Sequence, residues 1–165
     1  MTIEVRPAAL AAVRELRHLV LRPHQLPEDL VYEHDDDPDA LHLGAFEDGR
    51  LVAVASITRE PPPGSDDGAA WRIRGMATLP DYRGRGLGGE LLRRCIGHAT
   101  PREASLVWCN GRVPALRFYE RHGFVGVRGP WDEPHLGPHV ELHLRLRTPE
   151  TGPPEARWSR GDGAR

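Results

Sequence analysis

Residues 82–88, Tyr-Arg-Gly-Arg-Gly-Leu-Gly, set three glycines beside two arginines in seven positions. Glycine lets backbone N–H groups come within hydrogen-bonding distance of an anion with no Cβ in the way. A segment of this composition is a phosphate-cradling turn, an arginine-glycine tract that binds nucleic acid, or an ordinary flexible loop. Placement favours the first. A strand-like run ends near Leu79, and beyond the stretch Leu87, Leu91 and Cys95 recur at every fourth residue, with Glu90, Arg93 and Arg94 on the other side. The glycines therefore stand where a helix begins, and a helix N-terminus offers unpaired N–H groups and a partial positive charge. Nucleic-acid tracts of this kind lie in low-complexity sequence, not between two periodic elements. No Gly-Lys-Ser/Thr follows, so the stretch is not a Walker A loop. Gly84, Gly86 and Gly89 have dinucleotide-fingerprint spacing, but Glu103, the nearest acid at the required distance, already belongs to the approach to the next strand.

The elements that must position this stretch can be read from periodicity. Residues 2–7 alternate like a strand, and Leu10, Val13, Leu16 and Val20 follow at helical spacing. Residues 22–40 hold prolines and a run of acids and read as a long irregular segment. Two apolar runs then flank Glu47-Asp48-Gly49-Arg50, a hairpin signal. Ala69 to Leu79 form a further strand in which Gly75 marks a bulge or a close backbone approach. After the helix at the glycines, ASLVWCN reads as a strand and VPALRFYERHGF as a second helix, with Pro114 at its first position and Gly123 as its left-handed stop. FVGVRG is a short strand. In HVELHLRLR, Val140, Leu142, Leu144 and Leu146 point inward and Glu141, His143 and Arg145 outward.

The expected architecture is one α/β domain over residues 1–147, a mixed sheet flanked by helices. Residues 148–165 hold too little apolar surface to pack and are expected to be a disordered tail. Cys95 and Cys109 lie in apolar runs without metal-ligand spacing and read as reduced core thiols, so no metal is expected. The formal charge of −2 gives no global attraction to nucleic acid, although all 22 basic residues are Arg. No apolar run of about 18 residues and no secretory signal pattern is present. The expectation is a cytoplasmic protein with neither a nucleic-acid nor a membrane partner.

Two stretches together carry a family likeness. MATLPDYRGRGLGGELLRRCIGHA resembles the acetyl-CoA motif of the GNAT superfamily of N-acyltransferases, whose loop pattern falls here on Arg83-Gly84-Arg85-Gly86-Leu87-Gly88. WCNGRVPALRFYERHGFVGV is similar to the superfamily's second motif. The resemblance spans about residues 70–129 and implies a GNAT fold, acetyl-CoA as co-substrate and transfer of its acetyl group to a primary amine of a small molecule or peptide. It implies that the backbone of Met76, Ala77 and Thr78 holds the pantetheine arm, and that the N–H groups of Gly84, Arg85, Gly86, Leu87, Gly88 and Gly89 hold the pyrophosphate. Arg83 and Arg85 either add charge-assisted contacts to the phosphates or are solvated surface residues, with Arg83 favoured for contact by its place at the motif's first position. Asn110 either touches the cofactor or completes the strand end. Tyr119 is either the acid that protonates the departing thiolate or a half-buried packing residue, and a backbone N–H near Ala77 or Thr78 would meet the oxyanion. Candidates at the acceptor are Glu33, Asp35, Trp131 and His139, with His34, Asp36, Glu133 and His135 also open as proton relays. The acids at 33–37 form either a solvated turn or a rim suited to a cationic amine, and Trp131 is either a lid or an exposed loop aromatic. Assembly as a homodimer stays open. The rival reading is an inert acyl-CoA-binding sensor of the same fold.

Overall fold

The computed structural model describes residues 2–146; the expected tail at 148–165 lies outside the described residues. In chain order the elements are β1 (Ile3–Pro7), α1 (Leu10–Leu21), β2 (Leu41–Glu47), β3 (Arg50–Arg59), β4 (Ala70–Thr78), α2 (Leu87–Ala99), β5 (Leu106–Arg112), α3 (Leu116–Arg121), β6 (Val125–Glu133) and β7 (Gly137–Arg145). The strands form one sheet in the order β1-β2-β3-β4-β5-β7-β6. Every neighbouring pair is antiparallel except β4 with β5, which are parallel.

The β2–β3 hairpin turns on Asp48 and Gly49, both at positive φ, as a two-residue turn matched to strand twist requires. In β3 the seven residues from Val52 to Thr58 are all buried, so both faces of this strand are covered. Helices α1 and α2 both pack on β3 and β4. Val13 and Leu16 of α1 and Leu87, Leu91, Leu92 and Cys95 of α2 join Val52, Val54, Ile57 and Trp71 in one core. Burying these side chains, at about 1.5–3 kcal/mol for each large aliphatic one, supplies most of what opposes chain entropy.

The last third of the chain departs from the periodicity reading in three places. Strand β6 does not end near Gly129: residues 131–133 pair with Gly137–His139 across a tight turn in which His135 takes a positive φ. Trp131 is accordingly a strand residue opposite His139, not a loop aromatic. Glu141 is only 5% exposed instead of facing water, because Arg128 and His143 both close on its carboxylate. The second helix is also shorter than expected, since Val113–Ala115 form a 3-10 turn that contains Pro114 and the α-helix starts at Leu116. Gly123, at φ 89°, ends it as the sequence implies.

Candidate active site

Strands β4 and β5 pair only at Ala70–Leu106, Trp71–Val107 and Arg72–Trp108. Beyond Arg72 they part, although β4 continues to Thr78 and β5 to Arg112. The gap is a cavity of about 660 Å³ that reaches from Thr78, Arg83 and Gly88 past Met76, Asn110 and Tyr119 toward Tyr32 and His139. Parting strands leave backbone N–H and C=O groups on both edges without ladder partners. On its other edge β4 is bulged: Ala77 faces Val54 and Arg74 faces Ser56, so Gly75 and Met76 together oppose Ala55. Gly75 sits at φ 62°, and a Cβ there would stand 2.6 Å from Arg17 Nε, which explains why only glycine fits. The interruption thus lies at Gly75–Met76, while Ala77 and Thr78 remain in register with β3.

At the near end of the gap the glycine stretch opens α2. Gly84 and Gly86 both have positive φ, and a Cβ on either would meet nothing within 4 Å. The space above them is open. Gly86 is the N-cap, no side chain caps the helix, and Glu90 is drawn away by Arg93 and Arg94. The first N–H groups of α2 therefore face a pocket lined by Gly84, Gly86, Gly88, Gly89, Arg83 and Arg121. Arg83 lines both this pocket and the main cavity. Arg85 is held elsewhere, with its guanidinium 4.7 Å from the Tyr82 ring and bonded to the Asp81 carbonyl. Arg121 carries no sequence signal beyond its exposed place on α3; only the fold brings it to the glycines.

In the middle of the gap Tyr119 is buried, and its hydroxyl lies 3.6 Å from Met76 Sδ, a weak acceptor. Burial first, and then the neighbouring Cys109, hold its phenol well above the usual value of 10, so it stays protonated. Burial also pushes the Cys109 thiol up to about 12. Asn110 Oδ1 is buried without a hydrogen-bond partner on the same cavity wall, an acceptor left for something the cavity receives.

At the far end the acids of residues 33–37 do not assemble a rim. Asp35 is buried, with both carboxylate oxygens on the Arg17 guanidinium at 2.8 and 3.1 Å, and Arg17 also donates to Ser56 Oγ. Burial alone would raise the Asp35 carboxyl, but the hydrogen bonds and charge of Arg17 outweigh it and the net direction is down. Glu33 is exposed and is not among the cavity-lining residues, whereas Glu133 and His139 are. His139 donates from Nδ1 to the Gly137 carbonyl, which leaves Nε2 as the basic nitrogen. His135 stacks on His24 with ring centroids 4.7 Å apart. Trp131 donates to Glu133 and packs 6.2 Å from His139. The sequence reading did not single out Arg22, Tyr32, Arg74 or Arg112, all of which line this end. Among the described residues no cluster of His, Cys, Asp and Glu could hold a metal, and no helix is long and apolar enough to cross a membrane.

Comparison with known proteins places this geometry. The model of the acetyltransferase (GNAT) family matches residues 10–124. The uncharacterised N-acetyltransferase YitI of Bacillus subtilis is 34% identical over 146 residues, which cover 88% of this chain and 98% of that protein. A mycothiol acetyltransferase of Nocardiopsis dassonvillei is 33% identical over 144 residues, 71% of this chain but only 40% of that longer protein. The structure of YncA from Salmonella typhimurium with its cofactor acetyl-CoA superposes with a TM-score of 0.71 at 20% identity, over 94% of this chain and 99% of that one, and so shares the fold.

Proposed function

The chain belongs to the GNAT family of acetyltransferases, and from that premise we propose that it transfers the acetyl group of acetyl-CoA to a primary amine of a small molecule or peptide. The observation that carries this reading is the cavity between β4 and β5, which reaches Tyr119 and shares Thr78, Arg83 and Gly88 with the adjoining pocket over the glycines. The residues present fit the cofactor. Open glycines at an uncapped helix N-terminus suit a pyrophosphate, and the unpaired Asn110 Oδ1 suits an amide N–H of the pantetheine arm.

When bound, acetyl-CoA supplies an activated acyl group, and this chain's residues orient it and manage protons. The free backbone edge of Met76, Ala77 and Thr78 aligns the arm, and the bulge at Gly75–Met76 leaves an N–H outside the β3 ladder, a donor suited to the oxyanion. The phenol of Tyr119, kept protonated by its burial, donates to the sulfur that departs. His139 Nε2, freed by the bond that Nδ1 makes to Gly137, is the acceptor for the amine's proton. Arg83 supports the phosphates through its place on both pockets, and Arg121 joins it. The test is release of free CoA thiol from acetyl-CoA in the presence of an amine panel. Amine-dependent release that collapses in Tyr119→Phe supports the reading; tight acetyl-CoA binding with no turnover on any amine would instead make the protein a sensor of the same fold.

A further inference from the structure

The far end of the cavity is strongly basic. Excluding Arg83 at the phosphate end, four arginines line it, Arg22, Arg72, Arg74 and Arg112, against one carboxylate, Glu133. Their pairing is uneven. Arg72 is bonded to Glu60 Oε1 at 2.9 Å, and Arg112 reaches the Leu21 carbonyl at a long 3.4 Å. Arg74 meets Glu60 only at 3.8 Å, beyond hydrogen-bond distance, and lies 4.2 Å over the Tyr32 ring, which fixes its guanidinium without using its donors. The Arg22 side chain makes no ion pair or hydrogen bond among the described residues. Glu133, the one opposing acid, already accepts from Trp131. Asp35, the nearest acid of the 33–37 run, is paired with Arg17 at 2.8 Å and does not line the cavity.

Cations gathered in a partly buried wall with fewer counter-charges than cations repel one another and lose hydration. Such a wall is stable and selective when an anion completes it. The far end lies where the amine must enter, because the near end is taken up by the glycine cradle. Resting on the transfer reaction proposed above, we propose that the acceptor bears an oxyanion, a carboxylate or a phosphate, beside its amine, and that Arg22 and Arg74 hold that group. The planar fork of Arg74 suits a bidentate bond to either oxyanion, and Arg22, at the C-terminus of α1, faces the same space. This reverses the cationic acceptor that the acid-rich segment suggests from sequence, and the reason is the burial of Asp35.

The experiment compares amines that differ only in the anion: phenylalanine with phenethylamine, and phosphoethanolamine with ethanolamine. Acetyl transfer (kcat/KM) is measured beside calorimetric binding of each compound to the protein saturated with CoA. The anionic member of at least one pair should lead by roughly tenfold to a hundredfold, the worth of hydrogen bonds to a charged group. Which pair leads tells carboxylate from phosphate. Arg22→Gln and Arg74→Gln should each close most of that gap through KM; because Arg74 also stacks on Tyr32, the Arg22 variant serves if the other misfolds. Equal behaviour within both pairs, preference for the uncharged partners, absence of binding by either anionic compound, or a gap that survives both substitutions would overturn the inference. Acetyl-CoA binding, measured separately, keeps the outcomes apart: if it is absent the transfer reading itself falls, and if it is present only the oxyanion claim is at stake.

Discussion

Asp35→Ala should cost this protein several kcal/mol, because it strands a buried charge. Arg17 is fully buried and Asp35 is 4% exposed. The substitution removes two charge-assisted bonds of 2.8 and 3.1 Å and the acceptor for the Tyr32 N–H at 3.0 Å. It leaves the guanidinium with Ser56 Oγ alone among its side-chain acceptors. Breaking one side of a buried ion pair costs about 3–5 kcal/mol. At roughly 2–4 °C per kcal/mol for a chain of this size, Tm should fall by roughly 6–20 °C. The double variant Arg17→Met, Asp35→Ala removes the stranded charge as well and should melt above the single one. The pH dependence has a definite sign. The Asp35 carboxyl is depressed in the fold, so its contribution is complete above its unfolded pKa of about 3.9 and is lost as pH falls through the lower folded value. The Tm gap between wild type and Asp35→Ala should therefore be full at pH 7 and shrink below about pH 4. Circular-dichroism melts across that range read both effects. A single variant that melts within about 2 °C of wild type at pH 7, or a gap unchanged in acid, would refute the structural role of this pair.

Tyr119→Phe should lower kcat by roughly a hundredfold or more while leaving the Kd for acetyl-CoA nearly unchanged, since it removes a proton donor and little surface. The wild-type rate should show no alkaline fall from this residue up to pH 10, because its phenol is held well above that value. Cys95 and Cys109, both buried with thiols raised to about 12, should resist an aromatic disulfide reagent at pH 8 in the native protein and react after unfolding. Rapid labelling of Cys109 in the native state would contradict the packing around Tyr119, and rapid labelling of Cys95 the packing of α2 on the sheet.

The fold was legible wherever one face of an element is buried and the other wet. The 3.6 period of α1 and α2, the Asp48-Gly49 turn and the Gly75 bulge all follow from local chemistry. Legibility failed where cover comes from distant sequence. Glu141 looks like a solvent residue in an alternating strand, and only Arg128 of the adjacent β6 and His143 explain its burial. Residues 130–138, between the two strand-like runs, read as a loop, which hid the hairpin that brings Trp131 against His139. The candidate roles of the glycine stretch and Tyr119 rest on adjacent residues and a family likeness. The far end of the cavity was not legible, because Arg22, Tyr32, Arg74 and Arg112 come from four separate segments and converge only in the fold. Asp35 misled for the same reason: an acidic run reads as a solvated surface until Arg17, 18 residues earlier, is seen to claim one of its members.

Whether the glycine stretch holds the cofactor is tested most directly by calorimetric titration of acetyl-CoA into wild type and Gly86→Glu, each first shown to melt cooperatively. Position 86 is the open N-cap of α2, so a glutamate there sets bulk and a like charge where the pyrophosphate would lie. Binding by the wild type and its loss in the folded variant is the predicted result. Equal binding by both would contradict the cradle.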